Sequence, residues 1–281
     1  MREFETITYE EKENGIAILT LNRPDKLNAL SVKLMEEFNE ILDYLEWNFD
    51  VRVLIITGNG RAFCAGLDLK EFPALRRGKS EKFKHLQVLN MGDPIKTNFY
   101  SQKWIAEAIM KMRRIPQVII AAVNGAATGG GFALTMAADV RIASEKARFN
   151  NAFIKIGVSG CDLGSSYFLP RLIGLSRAAE LLYTGRFFDA QEADRIGFVS
   201  RVVPAEDLMA VATELAEEML TKSPLGLRLT KEGINLNIDA PSLESAIFIE
   251  NRNQVITAST KDAPEGVISF FEKRKPKYKL R

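Results

Sequence analysis

Short apolar runs that end in turn-forming residues recur along the first half of the chain. Residues 16–21, 51–57 and 118–123 are rich in aliphatic and β-branched side chains, and Asn, Gly or Pro residues follow each run. Between the first two runs, Ser31 can cap a helix in which apolar residues recur at helical spacing up to Leu45. A strand–helix–strand unit of this kind predicts an α/β core.

The pattern changes in the last third of the chain. Apolar residues from Leu208 to Met219 recur at the spacing of an amphipathic helix, and further helices are expected up to Lys275. We therefore predict two parts, with residues 1–203 forming the α/β core and residues 204–281 forming a helical region.

A polar, lysine-rich segment at 73–98 is expected to connect ordered parts, and a helix is predicted from about 100 to 114. The segment contains the single histidine of the chain, His85. With one histidine, Ser-His, Cys-His and poly-histidine zinc sites are difficult to build. The polar surroundings favour a surface position for His85 over a catalytic one.

Composition and charge restrict the class of protein. The net charge of the 281 residues is +2, which is too small to indicate nucleic-acid binding. No apolar run is long enough to cross a bilayer, and the first fifteen residues lack the apolar segment of a secretory signal. Cys64 and Cys161 have no metal-ligand spacing. These features predict a cytoplasmic protein with reduced thiols that binds neither nucleic acid nor membrane.

Two glycine-containing loops each follow a predicted strand. The first spans 58–69, and the second contains the triplet Gly129-Gly130-Gly131. Glycine after a strand permits unusual turns that expose N–H groups, and a helix N-terminus adds a partial positive charge. The spacing leaves three interpretations open: tight turns without chemistry, a phosphate cradle, or two facing loops that bind an oxyanion. Neither loop has the dinucleotide or P-loop pattern, which disfavours the cradle.

A third candidate feature is Asp162, in the segment 157–167. It is predicted to begin a helix, and aspartate is a favourable N-cap residue. On spacing alone the capping role is favoured. An acid beside an apolar cavity can also transfer protons.

Several segments, in order along nearly the whole chain, resemble the enoyl-CoA hydratase/isomerase (crotonase) family. They are Arg23–Leu30, Phe63–Leu69, Ala122–Gly131, Leu182–Arg186 with Ala190–Val199, and Phe270–Arg274. The resemblance implies a spiral of ββα units followed by C-terminal helices that form trimers, often paired into hexamers. It also implies acyl-CoA thioester substrates, in which coenzyme A is part of the substrate, and no metal or redox cofactor.

Carried over position by position, the resemblance implies two backbone donors, the N–H groups of Leu67 and Gly130. They would bind the thioester oxygen as it becomes an enolate oxygen. Phe270 and Lys273 would contact the coenzyme A of a neighbouring subunit. The residues implied to line the adenine and pantetheine site are Lys26, Leu27, Ala29, Ala65, Asp68 and Leu69.

The sequence departs from the standard hydratases of the family at both catalytic glutamates. Ala133 and Phe153 occupy those positions, and neither can move a proton. Asp162 resembles an acid in the same loop of dienoyl-CoA isomerases and of 4-chlorobenzoyl-CoA dehalogenases, and 162–167 is particularly similar to the latter. Both comparisons are incomplete, because the other isomerase acids map to Ala133 and Phe153 and the dehalogenase histidine is absent from 104–112.

The first hypothesis is therefore an enzyme that moves protons at the α or γ carbon of an unsaturated acyl-CoA. Leu67 and Gly130 would hold the enolate, and Asp162 would act as base and then as acid, giving double-bond migration or a one-acid hydration. An alternative uses Asp162 as a nucleophile on an activated acyl-CoA. A further alternative, motivated by the missing glutamates, is a CoA-binding or interaction protein without catalysis.

Overall fold

The computed structural model describes residues 4–71 and 93–278. The prediction for His85 and most of the predicted connection at 73–98 lie outside these residues. In the described part of the chain, no helix is both long and apolar enough to cross a membrane.

The strands of the described residues form two sheets, and they are numbered here in chain order. The larger sheet has the order β1 (Ile7–Glu11), β2 (Ile16–Leu21), β3 (Val53–Gly58), β5 (Val118–Val123), β7 (Val140–Ser144) and β10 (Arg201–Val203). The smaller sheet has the order β4 (Ala62–Cys64), β6 (Ala126–Thr128), β8 (Arg148–Asn150) and β9 (Phe188–Asp189). The β1–β2 and β8–β9 pairs are antiparallel, and the other pairs are parallel.

Helices connect the strands and form the C-terminal part. They are α1 (Val32–Trp47), α2 (Pro94–Arg114), α3 (Gly130–Ala137), α4 (Ser165–Ile173), α5 (Leu175–Thr184), α6 (Ala190–Arg195), α7 (Leu208–Leu220), α8 (Pro224–Asn237), α9 (Leu243–Ala258) and α10 (Asp262–Phe271). Short 3-10 turns occupy 24–26, 152–156 and 205–207.

From β3 to β8, consecutive strands alternate between the two sheets. The strands β3, β5 and β7 join the larger sheet, and the strands that follow them, β4, β6 and β8, join the smaller sheet. Parallel neighbours require a crossover, and here the smaller sheet and the helices provide it. The chain therefore winds as a spiral of ββα units, which confirms the predicted α/β class and crotonase-like architecture.

The larger sheet is covered on both faces, which explains its continuous apolar runs. All residues of β3 are buried. One face packs in the main core with α1 to α6, and the other packs against Leu208, Ala212 and Ala216 of α7. The helix α7 thus packs directly on the sheet, and the division of the chain at 203/204 stays a prediction.

Two predicted boundaries are wrong. The helix expected from about 100 begins at Pro94, because the Asp93 side chain accepts from the N–H groups of Ile95 and Lys96 and proline suits the first helical turn. Residues 94–98 are therefore helical rather than part of a connection. Asp162 does not begin a helix, since α4 begins at Ser165 after Gly164, whose φ is +81°.

A buried lysine attaches α8 to the core. Lys231 Nζ donates to the carbonyl oxygens of Met112 and Gln117 and lies 3.0 Å from Asp139 Oδ2. Burial lowers the pKa of this lysine, and three oxygen partners compensate for the loss of water. By contrast, α9 and α10 expose large apolar side chains, including Phe248, Val255, Val267, Phe270 and Phe271. Trimer formation by this region stays a prediction.

Candidate active site

The first glycine loop lies beside the segment before α1. The Leu30 N–H donates to the Gly66 oxygen at 2.8 Å, and the Asp68 N–H donates to the Leu30 oxygen at 3.0 Å. In this parallel bridge between Leu30 and Leu67, Leu30 makes both hydrogen bonds. Its partners are the residues before and after Leu67 rather than Leu67 itself. The Leu67 N–H therefore takes no part in the bridge and points to the other side of the loop.

The second glycine loop ends at the N-terminus of α3. Gly129 has φ +49° and ψ −115° and precedes the helix without a side-chain cap. Gly130 is the first residue of α3, so its N–H has no acceptor within the helix and lies at the positive end of the helix dipole.

The two loops approach so closely that glycine is required at their contact. A Cβ on Gly66 would lie 3.3 Å from the Gly130 nitrogen and 2.8 Å from the Thr128 oxygen. A Cβ on Gly131 would lie 2.2 Å from the Cys64 oxygen. The Thr128 hydroxyl also donates to the Ala65 oxygen at 2.7 Å. The backbone therefore places residues 66–67 beside Gly130, which is the arrangement that a two-donor oxyanion site requires.

The loop that carries Asp162 also contacts Gly130. Leu163, at the strained φ of +46°, has its Cδ1 atom 3.7 Å from the Cβ position of Gly130. The preceding residue, Asp162, is half-buried, and its Oδ1 accepts from the Leu163 N–H at 2.7 Å and from Gln102 Nε2 at 2.6 Å. The Asp162 N–H donates to Ser165 Oγ at 3.1 Å. The Asp162 carboxylate is therefore held by hydrogen bonds, and Asp162 directly precedes the residue that contacts Gly130.

The two positions that hold glutamate in standard hydratases are apolar and buried. Ala133 is fully buried in α3, and Phe153 is 4% exposed in the 3-10 turn. The Phe153 ring lies 3.6 Å from the Cβ position of Gly129, and Leu30 and Leu163 contact the Cβ position of Gly130. This side of the site is therefore hydrophobic.

The segments predicted to bind coenzyme A are adjacent. The Ala65 N–H donates to the Leu27 oxygen at 2.9 Å. Arg23 links the same two segments, because it donates to the Ala29 oxygen and pairs with Asp68 Oδ2 at 3.1 Å. Lys26 and Leu69 are exposed on these segments. The binding roles of all six predicted residues stay predictions.

The two predicted C-terminal residues lie in a different part of the chain. Phe270 is 79% exposed in α10 and lines a groove with residues of α8 and α9. Lys273 follows the helix at φ +53° and is exposed. Their predicted contact with the coenzyme A of a neighbouring subunit stays a prediction.

Sequence reasoning missed Gln102 and Leu163 as site residues. Gln102 is sixty positions away from Asp162, and only helix packing brings them together. The positive φ of Leu163 has no signal in the sequence, since leucine rarely adopts it. Among residues 4–71 and 93–278, no group of three or more His, Cys, Asp or Glu side chains is placed to hold a metal ion.

Comparison with known proteins identifies the family. The family model for enoyl-CoA hydratase/isomerase matches residues 11–281. The chain belongs to the enoyl-CoA hydratase/isomerase family. A relative from Mycobacterium bovis, "Probable enoyl-CoA hydratase echA12", is 38% identical over 271 residues, which cover 96% of this chain and 91% of the relative.

Solved structures of family members share the fold. A probable enoyl-CoA hydratase/isomerase from Mycobacterium abscessus superposes with a TM-score of 0.86 at 36% identity, covering 98% of this chain and 99% of that chain. An enoyl-CoA hydratase from Bacillus anthracis gives the same TM-score, identity and coverage. The spiral described above is thus the fold of this enzyme family.

Proposed function

We propose that this member of the enoyl-CoA hydratase/isomerase family binds an unsaturated acyl-CoA thioester and moves its double bond by proton transfer. One observation carries the proposal: the acid Asp162 adjoins the contact between the two glycine loops, while the two standard glutamate positions, Ala133 and Phe153, are buried and apolar.

In the proposed reaction, the Asp162 carboxylate removes a proton from the α or γ carbon of the acyl chain. The electron pair of the broken C–H bond moves through the conjugated system onto the thioester oxygen. The N–H groups of Leu67 and Gly130 stabilise that enolate oxygen. Asp162 is half-buried, so its carboxyl proton exchanges with solvent. The protonated Asp162 then gives a proton to the other carbon, so the double bond migrates and no atom is gained or lost overall.

The hydrophobic side of the site favours migration over hydration. Hydration requires a water molecule held by polar groups, together with a base that activates it. Phe153 and Leu163 beside the glycine loops offer no such side-chain groups. A one-acid hydration by Asp162 is therefore the less favoured outcome.

We place the coenzyme A moiety along the two adjacent segments that contain Lys26, Leu27 and Ala29, and Ala65, Asp68 and Leu69. Their hydrogen bonds to each other and their position next to the glycine loops support this placement. We also propose a homo-oligomer in which Phe270 and Lys273 contact the coenzyme A of a neighbouring subunit. The exposed apolar side chains of α9 and α10 support association.

The test is incubation with a panel of enoyl-, dienoyl- and aryl-CoA thioesters in deuterated water, read by mass spectrometry. We expect the native protein to introduce deuterium into an enoyl- or dienoyl-CoA at unchanged elemental composition. The Asp162→Asn variant should lower the rate by about 10²–10⁴-fold, the usual contribution of a general acid–base group. Asp207→Asn is the matched control, because Asp207 is exposed and makes no side-chain cap.

Other outcomes would replace the proposal. Gain of one water would indicate hydration, and a covalent acyl or aryl adduct on Asp162 would indicate a nucleophile. Thioester binding with no exchange on any substrate would indicate a CoA-binding protein. Full turnover by Asp162→Asn would exclude Asp162 as the acid–base group.

A further inference from the structure

The Asp162 carboxylate has a hydrogen-bond donor from a distant helix. Gln102 lies in the third turn of α2, and its side-chain amide donates to Asp162 Oδ1 at 2.6 Å. The Leu163 N–H donates to the same oxygen at 2.7 Å. Because both donors meet one oxygen, rotation of the carboxylate about its Cβ–Cγ bond would break both bonds. The plane of the carboxylate is thereby fixed.

Helix α2 is a firm support for this donor. Residues 102, 109 and 113 are separated by seven and four positions and so share one face of the helix. Ile109 lies 3.7 Å from the Cβ position of Gly164, and the Arg113 guanidinium lies 5.8 Å from the centre of the Phe168 ring. The face of α2 that carries Gln102 therefore runs along the acid loop and α4.

The same helix is anchored to the rest of the core. Ile105, Ala108 and Met112 are buried, and Arg113 pairs with Asp139 at 2.9 Å. A hydrogen bond from a helix that is packed in the core can hold a reactive group to within the small tolerances that catalysis requires.

We propose that Gln102 is a positioning residue, which orients the Asp162 carboxylate toward the carbon from which the proton is removed. This inference rests on the proposed function, in which Asp162 is the acid–base group. Gln102 itself transfers no proton, since an amide neither gains nor loses one in the working pH range. Its effect on the reaction passes through Asp162 alone.

The experiment measures kcat and KM for double-bond migration in a double-mutant cycle. Gln102→Leu removes the donor at similar size and should lower kcat by about 10- to 100-fold through misplacement of the carboxylate, with KM nearly unchanged. In the Asp162→Asn background the same change should have no further effect on kcat. Lys103→Met, at the neighbouring exposed position of α2, is the control and should leave kcat unchanged.

A second variant gives a readout that a purely structural role would not change. Gln102→Glu keeps the length of the side chain, but its ionised form cannot donate and repels Asp162. Its kcat relative to the native protein should rise as the pH is lowered, because the protonated carboxyl donates again. Circular dichroism confirms that each variant is folded before the kinetics are compared.

Each outcome supports the inference or overturns it. Equal losses of kcat from Gln102→Leu in the native and Asp162→Asn backgrounds, or a rise in KM alone, would overturn the positioning role. If Asp162→Asn is inactive and Gln102→Leu is fully active, the positioning role fails and the proposed function stands. If Asp162→Asn is fully active, the proposed function fails and the positioning role fails with it.

Discussion

The two sides of the candidate site are built differently. The donor side, 64–67 with 129–131, is held by backbone contacts so close that a side chain at Gly131 would lie 2.2 Å from the Cys64 oxygen. The acid side, 162–165, is held by side-chain hydrogen bonds that include a donor from another helix. The donor side therefore depends on glycine at its close backbone contacts, and the acid side depends on side-chain hydrogen-bond partners.

The largest expected difference between the two sides is in thiol reactivity. Cys64 lies on the donor side, where burial raises the pKa of its thiol from 9.0 to about 12. Its thiolate fraction near neutral pH is therefore lower by about a thousand-fold than that of an unperturbed thiol. Cys161, next to Asp162, is exposed. With an aromatic disulfide reagent, we expect one thiol to react in the native protein and two after denaturation.

The Cys161→Ser variant is the control for this assignment and should show no fast thiol. Rapid modification of Cys64 in the native protein would mean that the donor side opens in solution. The close-packed account of that side would then be wrong.

Gly131→Ala should have the next largest effect. The new methyl group meets backbone rather than a flexible side chain, so the two glycine loops must separate. Loss of one oxyanion donor typically costs about 10²–10³-fold in rate, and we expect at least this loss in deuterium exchange together with a lower Tm. Gly233→Ala is the matched control, because the added Cβ would lie 3.7 Å from its nearest neighbour, Asn253 Nδ2. Gly233 lies inside α8, where alanine favours the helix.

These two sides also differ in how far the sequence predicts them. The two glycine loops could be located in the sequence because close backbone contacts require glycine locally, at Gly66 and at Gly129 to Gly131. Their spacing left their role open, and the donor role was implied by the resemblance to the family. The apolar runs and turns predicted the α/β core, and the resemblance to the family implied the spiral. The Asp162–Gln102 contact could not be found, because it depends on how α2 packs. The early start of α2 was missed, although Asp93-Pro94 is a usable start signal.

The buried thiol also predicts a pH dependence of stability on the donor side. Because burial raises the pKa of Cys64 to about 12, the folded protein keeps a proton that the unfolded chain loses above pH 9. This contribution is complete below pH 9 and is lost as the pH rises toward 12. The free energy of unfolding should therefore fall by about 1.4 kcal/mol per pH unit more steeply than in Cys64→Ala. Parallel slopes in urea titrations of the two proteins would contradict this account.

The smallest expected effect comes from Ser165→Ala, which removes a hydrogen bond to the backbone of the acid side. Ser165 is fully buried, its hydroxyl donates to the Gly160 oxygen at 2.9 Å and it accepts the Asp162 N–H at 3.1 Å. Ser165→Ala leaves the Gly160 oxygen with its bond from Asn151 but removes the side-chain acceptor of the Asp162 N–H. The expected cost is about 1–3 kcal/mol in the free energy of unfolding, the usual penalty for a buried polar group that loses its partner.

Ser165→Ala should change kcat and KM differently, and this difference distinguishes the acid side from the donor side. The glycine contacts of the donor side do not involve Ser165, so KM should stay close to the native value while kcat falls a few-fold as the acid loop loosens. Ser200→Ala is the control. Its hydroxyl also donates to a carbonyl oxygen, that of Arg141 in β7 at 2.8 Å, but Ser200 is exposed and lies just before β10, outside the acid side. A large rise in KM in Ser165→Ala would show that the loops move as one unit. The acid side would then depend on the same backbone packing as the donor side.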